Sequence, residues 1–287
     1  MAEDRDAVAE IGVIGGSGFY SFLDDVAELE VATPYGPPSD KLVVGTVGEG
    51  AKARRVAFLP RHGRGHHLPP HGINYRANLW ALRSLGVRRV LGPCAVGGLR
   101  ADHGPGTLVV PDQLVDRTSG RAQTFFDGVA RGDGRVPQVV HTAFADPYCP
   151  EGRRAALGAA QDWPAGRTVD GGTLVVIEGP RFSTRAESRW YAAQGWSVVG
   201  MTGHPEAVLA RELGLCYTSV NLVTDLDAGV EAGEGVTHEE VMRVFASNVA
   251  ALRELLFAVI ANLPESRGCA CGAALDGLTT GLPELDG

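Results

Sequence analysis

An α/β fold in one domain is what this sequence predicts. Short apolar runs alternate with segments of helical apolar spacing, several of those runs lead into loops carrying polar groups, and no linker or internal repeat divides the 287 residues. Ile11 to Ile14 reads as a strand entering Gly15-Gly16-Ser17-Gly18, and Val31 to Ser39 as a Pro-rich loop. Leu42 to Val47 and Arg55 to Leu59 read as a strand pair joined by Gly48-Glu49-Gly50. Asn74 to Leu85 has helical spacing and ends at Gly86; Val87 to Gly92 and Gly106 to Val110 are the next strands. Residues 127–137 read as a Gly- and Arg-rich surface loop, and Glu151 to Gln161 as a helix. Strands follow at Gly172 to Ile177, Val198 to Met201 and Tyr217 to Val223, with helices at Thr184 to Gln194, Pro205 to Leu213 and His238 to Ile260. Thr237 is the expected N-cap of the last helix, with Glu240 completing a capping box. The expected boundaries are a disordered lead-in over 1–10, a folded domain over 11–263 and a weakly ordered tail over 264–287.

Composition narrows the function classes. A hydrophobic content of 44% and a charged content of 21% are those of an ordinary soluble protein. The net charge of −8 argues against nonspecific nucleic-acid binding. Lys41 and Lys52 are the only lysines, so the basic charge is nearly all arginine. The first ten residues lack the apolar region of a secretory signal, and no unbroken run of about 18 apolar residues occurs, so a cytoplasmic protein without a membrane span is expected. Cys94, Cys149 and Cys216 are scattered and read as reduced thiols. Cys269-Ala270-Cys271 is a lone close pair; zinc usually takes four ligands and the sequence offers no second pair, so no metal is expected there.

Thr224-Asp225-Leu226-Asp227 stands at the carboxyl end of the apolar run Tyr217 to Val223, the edge where α/β sheets bind ligands. Carboxylates at i and i+2 leave an extended chain on one face and suit two neighbouring polar atoms of a flat ring; an Asx-capped turn is the bland alternative. The glycine-rich segment at 15–18 fits either a bare turn or a phosphate cradle, with the Ser17 hydroxyl at its mouth. It matches neither G-x-G-x-x-G nor a P-loop. Pro60-Arg61-His62-Gly63 follows a strand; Arg61 suits a bidentate grip on phosphate, and His62 adds a donor. His62, His66, His67 and His71 cluster, but in a Pro/Gly-rich segment poor in acids, which argues against a metal. Phe182, in Glu178-Gly-Pro-Arg-Phe-Ser183, fits a base stack or the core, and Arg181 an ion pair with Glu178 or Glu187. In Gly200-Met-Thr-Gly-His-Pro-Glu206, Thr202 fits a phosphate donor and Met201 a cover for a sugar face.

Read together and in order, these segments resemble the methylthioadenosine phosphorylases of the trimeric purine nucleoside phosphorylase family. Thr-Pro-Tyr-Gly-Pro-Pro-Ser (33–39), Asn-Tyr-Arg-Ala-Asn (74–78) and Asp-Gln-Leu-Val-Asp-Arg-Thr (112–118) add to the match, which runs from about Ile11 to Leu263. The resemblance implies a mixed central sheet flanked by helices, a homotrimer, and inorganic phosphate as co-substrate with no metal or organic cofactor. It implies phosphate held by Ser17, Arg61, His62, Cys94, Ala95 and Thr202, and purine and ribose held by Phe182, Met201, Thr224, Asp225 and Asp227. Asp225 would face purine N7 and Asp227 the 6-amino group; relatives specific for 6-oxopurines carry Asn at the first of these positions. His238, Val236 and Met242 would border the 5′ substituent, and His141 would reach an adjacent subunit's site.

The implied reaction is phosphorolysis of S-methyl-5′-thioadenosine and related 5′-substituted adenosines in purine and methionine salvage. The alternative is a broad purine nucleoside phosphorylase acting on adenosine, 5′-halo-5′-deoxyadenosine or methylthioinosine. A nucleosidase and a non-catalytic nucleotide binder are the competing classes; Arg61 and the Gly-rich loop speak against the first, the intact constellation against the second. Two departures stand out: Cys94 where many relatives place Thr, and His238 where methylthio-specific relatives often place an apolar residue.

Overall fold

The computed structural model describes residues 8–16, 24–50, 53–131, 134–230, 236–278 and 280–282. Ser17 and Gly18, the lead-in up to residue 7 and the last five residues lie outside them. In chain order the elements are β1 (Ile11–Gly15), β2 (Asp24–Leu29), β3 (Leu42–Val47), β4 (Arg54–Pro60), α1 (Tyr75–Ser84), β5 (Arg89–Gly98), β6 (Leu108–Val110) and β7 (Gln113–Arg117). There follow α2 (Pro150–Ala159), β8 (Thr168–Asp170), β9 (Thr173–Ile177), α3 (Arg185–Ala193), β10 (Val198–Gly200), α4 (Gly203–Glu212), β11 (Cys216–Leu226) and α5 (His238–Asn262).

Local chemistry sets the helix starts. The Asn74 side chain accepts the Ala77 N–H at 3.2 Å, and Thr237 accepts the Glu240 N–H at 3.3 Å. At α3, Thr184 and Glu187 form a reciprocal capping box. The sheet is mixed, as expected. β1 lies parallel to β4 and β5, while β3 runs antiparallel to β4 and pairs with β2 on its other side. β5 is where the sheet forks: β11 runs parallel along it, and β10 runs antiparallel against its last residues. From β10 one arm continues through β9 to β7; from β11 the other continues through β6 to β8.

Apolar side chains fill both faces. Leu79, Leu82, Leu209 and Tyr217 belong to the core under α1 and α4, and Leu91, Val220, Leu252 and Leu256 to the core under α2 and α5. α5 is the one helix among the described residues long and apolar enough to cross a membrane, a property the search for an unbroken apolar run overlooks. Its Leu252, Leu256, Val259 and Ile260 are instead buried against the sheet.

Three further differences from expectation have physical causes. β5 continues six residues beyond Gly92, because Gly97 and Gly98 mark close approaches rather than a strand end. A Cβ on Gly98 would strike the His103 carbonyl. β2, β7 and β8 are strands that the apolar pattern does not announce; β2 and β7 are peripheral and largely polar, and hydrogen bonding to a better strand defines them. The expected weakly ordered tail is packed over 264–278 and 280–282: Leu282 is 1% exposed in the core, and the Gln138 N–H donates to the Thr280 carbonyl at 3.2 Å.

Candidate active site

A cavity of about 480 Å³ opens where the sheet forks. Gly16, Arg61, residues 94–97 and the pair Asp225 and Asp227 reach it from the carboxyl ends of β1, β4, β5 and β11. Met201 and Thr202 enter after β10, and Phe182 and Ser183 after β9. Val241, Met242 and Phe245 close one side from α5.

The carboxyl pair owes its aim to a bulge. Val223 pairs with Val96 and Asp225 with Gly97, so Thr224 is the extra residue in β11. Asp225 and Asp227 both lie over Gly97, where a Cβ would come within 3.1 Å of Asp225 Oδ1 and 3.4 Å of the Asp227 Cβ. Thr224 donates its hydroxyl to Asp225 Oδ2 at 2.8 Å. Burial pushes the Asp225 carboxyl up to about 6, against the Thr224 hydrogen bond and with help from the nearby Asp227 charge. Burial raises Asp227 as well, opposed by the hydroxyls of Ser188 and Ser183. Among the described residues, Asp227 Oδ2 has no hydrogen-bond partner.

At the other end, the Arg61 guanidinium is 2% exposed and Glu206 0%. Arg61 donates to Glu206 through Nε at 2.5 Å and Nη2 at 3.0 Å, and through Nη1 to the Pro93 carbonyl at 3.0 Å. The Tyr217 hydroxyl donates to the same carboxylate at 2.7 Å. The bidentate grip expected for a phosphate is therefore made to Glu206, and Arg61 keeps only its remaining N–H donors for the cavity. Glu206 raises the Arg61 pKa further against its burial, so the guanidinium stays charged. His62 Nδ1 lies 2.8 Å from the Leu68 carbonyl, and burial pushes its pKa down to about 4. The neutral ring then donates through Nδ1 and offers Nε2 as an acceptor, where a donor was expected. Cys94 Sγ lies 3.5 Å from Thr202 Oγ1, and Thr202 immediately precedes α4, whose first turn is broken at His204.

The structure thus gathers Arg61, His62, Cys94, Ala95, Thr202, Phe182, Met201, Thr224, Asp225, Asp227 and Met242 around one cavity. Ser17 lies outside the described residues, next to Gly16 in the lining, and the His238 side chain also lies outside them. Val236 and His141 are not in the lining of this chain's cavity. Arg181 pairs with Glu187, through two bonds of 2.8 Å, rather than with Glu178. Sequence reasoning missed Val241 and Phe245, whose i, i+4 spacing on an apolar helix was the available signal. It also missed Arg121, which donates to the carbonyls of Met201, His204 and Glu178 at 2.7–2.9 Å and so ties together the segments that follow β9 and β10.

A carboxyl pair aimed into a partly apolar cavity, with the charged Arg61 guanidinium at its other end, fits an enzyme that binds a flat polar ring together with an anion. The chain belongs to the phosphorylase superfamily, whose family model matches residues 10–261, and within it to the methylthioadenosine and purine nucleoside phosphorylases. A purine nucleoside phosphorylase of Streptomyces coelicolor is 71% identical over 278 residues, covering 96% of this chain and 97% of the relative. An S-methyl-5′-thioadenosine phosphorylase of Mycolicibacterium smegmatis is 57% identical over 260 residues, covering 90% and 93%. Among solved structures, the methylthioadenosine phosphorylase of Schistosoma mansoni in complex with adenine superimposes with a TM-score of 0.80 at 38% identity, covering 88% of this chain and 91% of that one.

Proposed function

We propose that this pentosyltransferase cleaves S-methyl-5′-thioadenosine, and related 5′-substituted adenosines, with phosphate, releasing adenine and the 5-substituted ribose 1-phosphate. The observation that carries the reading is the buried pair Asp225 and Asp227 aimed over Gly97, with Arg61, His62 and Thr202 lining the same cavity. Phosphate attacks the anomeric carbon as the glycosidic bond breaks. The departing purine gains negative charge, and a protonated Asp225 donates to N7; its pKa near 6 keeps that proton available close to neutral pH. Asp227 accepts from the 6-amino group through its free Oδ2. A 6-oxo group would leave that oxygen facing another acceptor, a penalty of a few kcal/mol, on the order of 10²-fold or more in rate.

Phosphate is held by Ser17, the remaining Arg61 donors, the Ala95 backbone and Thr202, with His62 Nε2 accepting from a protonated phosphate oxygen. Val241, Met242 and Phe245 offer an apolar surface to a methylthio group, and His238 and Val236 stand nearby in sequence. The reaction needs no metal or organic cofactor, and the enzyme acts as a cytoplasmic homotrimer in methionine and purine salvage, with His141 completing a neighbour's site. A broader purine nucleoside phosphorylase is the second reading, favoured by the name of the 71%-identical relative.

The test is adenine release from methylthioadenosine, adenosine and 5′-halo-5′-deoxyadenosine, and base release from methylthioinosine, each with and without phosphate. Phosphate-dependent release fastest on methylthioadenosine is expected. Comparable rates on adenosine select the broad reading, and release without phosphate overturns both. Native mass spectrometry checks the trimer.

A further inference from the structure

The fold gathers four cysteines that the sequence scatters. Cys149 is the N-cap residue of α2, Cys216 opens β11, and Cys269 and Cys271 sit at the start of the 3-10 turn Ala270–Ala273. The Cys149 N–H donates to the Tyr217 carbonyl at 2.8 Å, which brings the first two together. The tail brings the other two: Arg267 donates to the Gly214 carbonyl and the Gly268 N–H to Glu151 Oε1, each at 2.8 Å.

The four Sγ atoms lie within 4.8 Å of one another. Cys149 and Cys269 are separated by 3.7 Å and Cys216 and Cys269 by 3.4 Å, so neither pair is a disulfide, which needs about 2.0 Å. Four thiolates about 2.3 Å from a tetrahedral zinc stand about 3.8 Å apart. The cluster has that spacing and leaves room for one ion rather than an iron–sulfur cluster. The surroundings favour thiolates. Cys149 stands at the positive end of the α2 dipole. Arg89, in register with Cys216 and so on its face of the sheet, is buried, with Nε and Nη2 lacking hydrogen-bond acceptors among the described residues.

We propose that Cys149, Cys216, Cys269 and Cys271 form a structural site for a single tetrahedral zinc ion that fastens the C-terminal tail to α2 and β11. Binding replaces thiol protons, which pass to solvent, and requires no oxidant. The site is separate from the active site: Cys216 and Asp225 stand at opposite ends of β11, about 30 Å apart along the strand.

The test uses the full chain purified without chelator. One zinc per chain by elemental mass spectrometry is expected, released by a thiol-specific mercurial, with an intact mass, taken without reductant, of the fully reduced chain. Cys269→Ser combined with Cys271→Ser should lose the zinc and lower the melting temperature while phosphorolysis at low temperature is unchanged. Should that variant not fold, wild-type protein stripped by chelator and reloaded with cobalt should show thiolate-to-cobalt charge-transfer bands. Zinc at background with free thiols, a mass short by two hydrogens per disulfide, or reloaded protein without those bands would each overturn the proposal.

Discussion

The two ends of the cavity treat their charges in opposite ways. At the Arg61 end the charges largely answer one another inside the protein: Arg61 donates to Glu206 and Pro93, and Tyr217 donates to Glu206 as well. At the Asp225 end the carboxyls are also buried yet under-answered, with Asp227 Oδ2 unpartnered among the described residues and both pKa values raised. A satisfied buried ion pair is scaffolding that holds its side chains still. An unsatisfied one is a standing cost, which a ligand with matching donors removes. In the proposed reaction the under-answered end would read the base, and the satisfied end would build the floor beneath the phosphate.

The contrast is broken most directly at Asp225. Asp225→Asn should cut kcat/KM for 6-aminopurine nucleosides by roughly 10²–10⁴-fold, as expected for loss of a general acid, with a smaller loss on 6-oxopurine substrates. Parallel assays of both substrate classes check this. At the other end the damage should fall on stability: Glu206→Gln strands the Arg61 charge and should cost about 3–5 kcal/mol in urea unfolding. A loss below about 1 kcal/mol would mean that the pair is not scaffolding.

The pH dependence sharpens the comparison. The Asp225 pKa rises on folding from 3.8 to about 6, so the folded state holds its proton more tightly. The associated stability is full below pH 3.8 and is lost as pH rises through about 6, an effect of up to about 3 kcal/mol. Asp225→Asn should therefore be more stable than wild type above that range and lack this part of the slope, as thermal melts across pH will show. In the wild type, kcat/KM should fall as pH rises past about 6, with the proton on N7's partner.

Smaller effects test the geometry. Gly97→Ala inserts a Cβ 3.1 Å from Asp225 Oδ1 and from Val199 Cγ1, and should lower kcat by roughly 10–10²-fold through misplacement of the pair. The smallest effect is expected at Arg181. Its bidentate pair with Glu187 lies at the surface, and Arg181→Ala should change stability by less than about 1 kcal/mol.

Much of the site was legible because chemistry sits at strand ends, and apolar runs such as Tyr217 to Val223 reveal where strands end. Most of the element order was legible for the same reason, down to the Thr237 cap, whereas β2, β7 and β8 were not. What stayed hidden depended on partners distant in sequence. Arg61 promised a phosphate clamp, but Glu206 lies 145 residues away and takes its fork. Arg121, in a loop without apolar pattern, gave no sign that it would bind three carbonyls of the cavity wall. Val236, expected beside the 5′ substituent, is not in the lining of this chain's cavity.

The sequence by itself determined the α/β alternation, the helix caps, and the strand-end placement of Arg61, Thr202, Asp225 and Asp227, because these follow from local periodicity and short-range hydrogen bonding. Only the tertiary structure decided that β5 runs on to Gly98, that Thr224 bulges so both carboxyls face Gly97, and that Cys149 and Cys216 meet Cys269 and Cys271. Those outcomes depend on which segments pack side by side, and the free energy of packing belongs to pairs of segments rather than to either one alone.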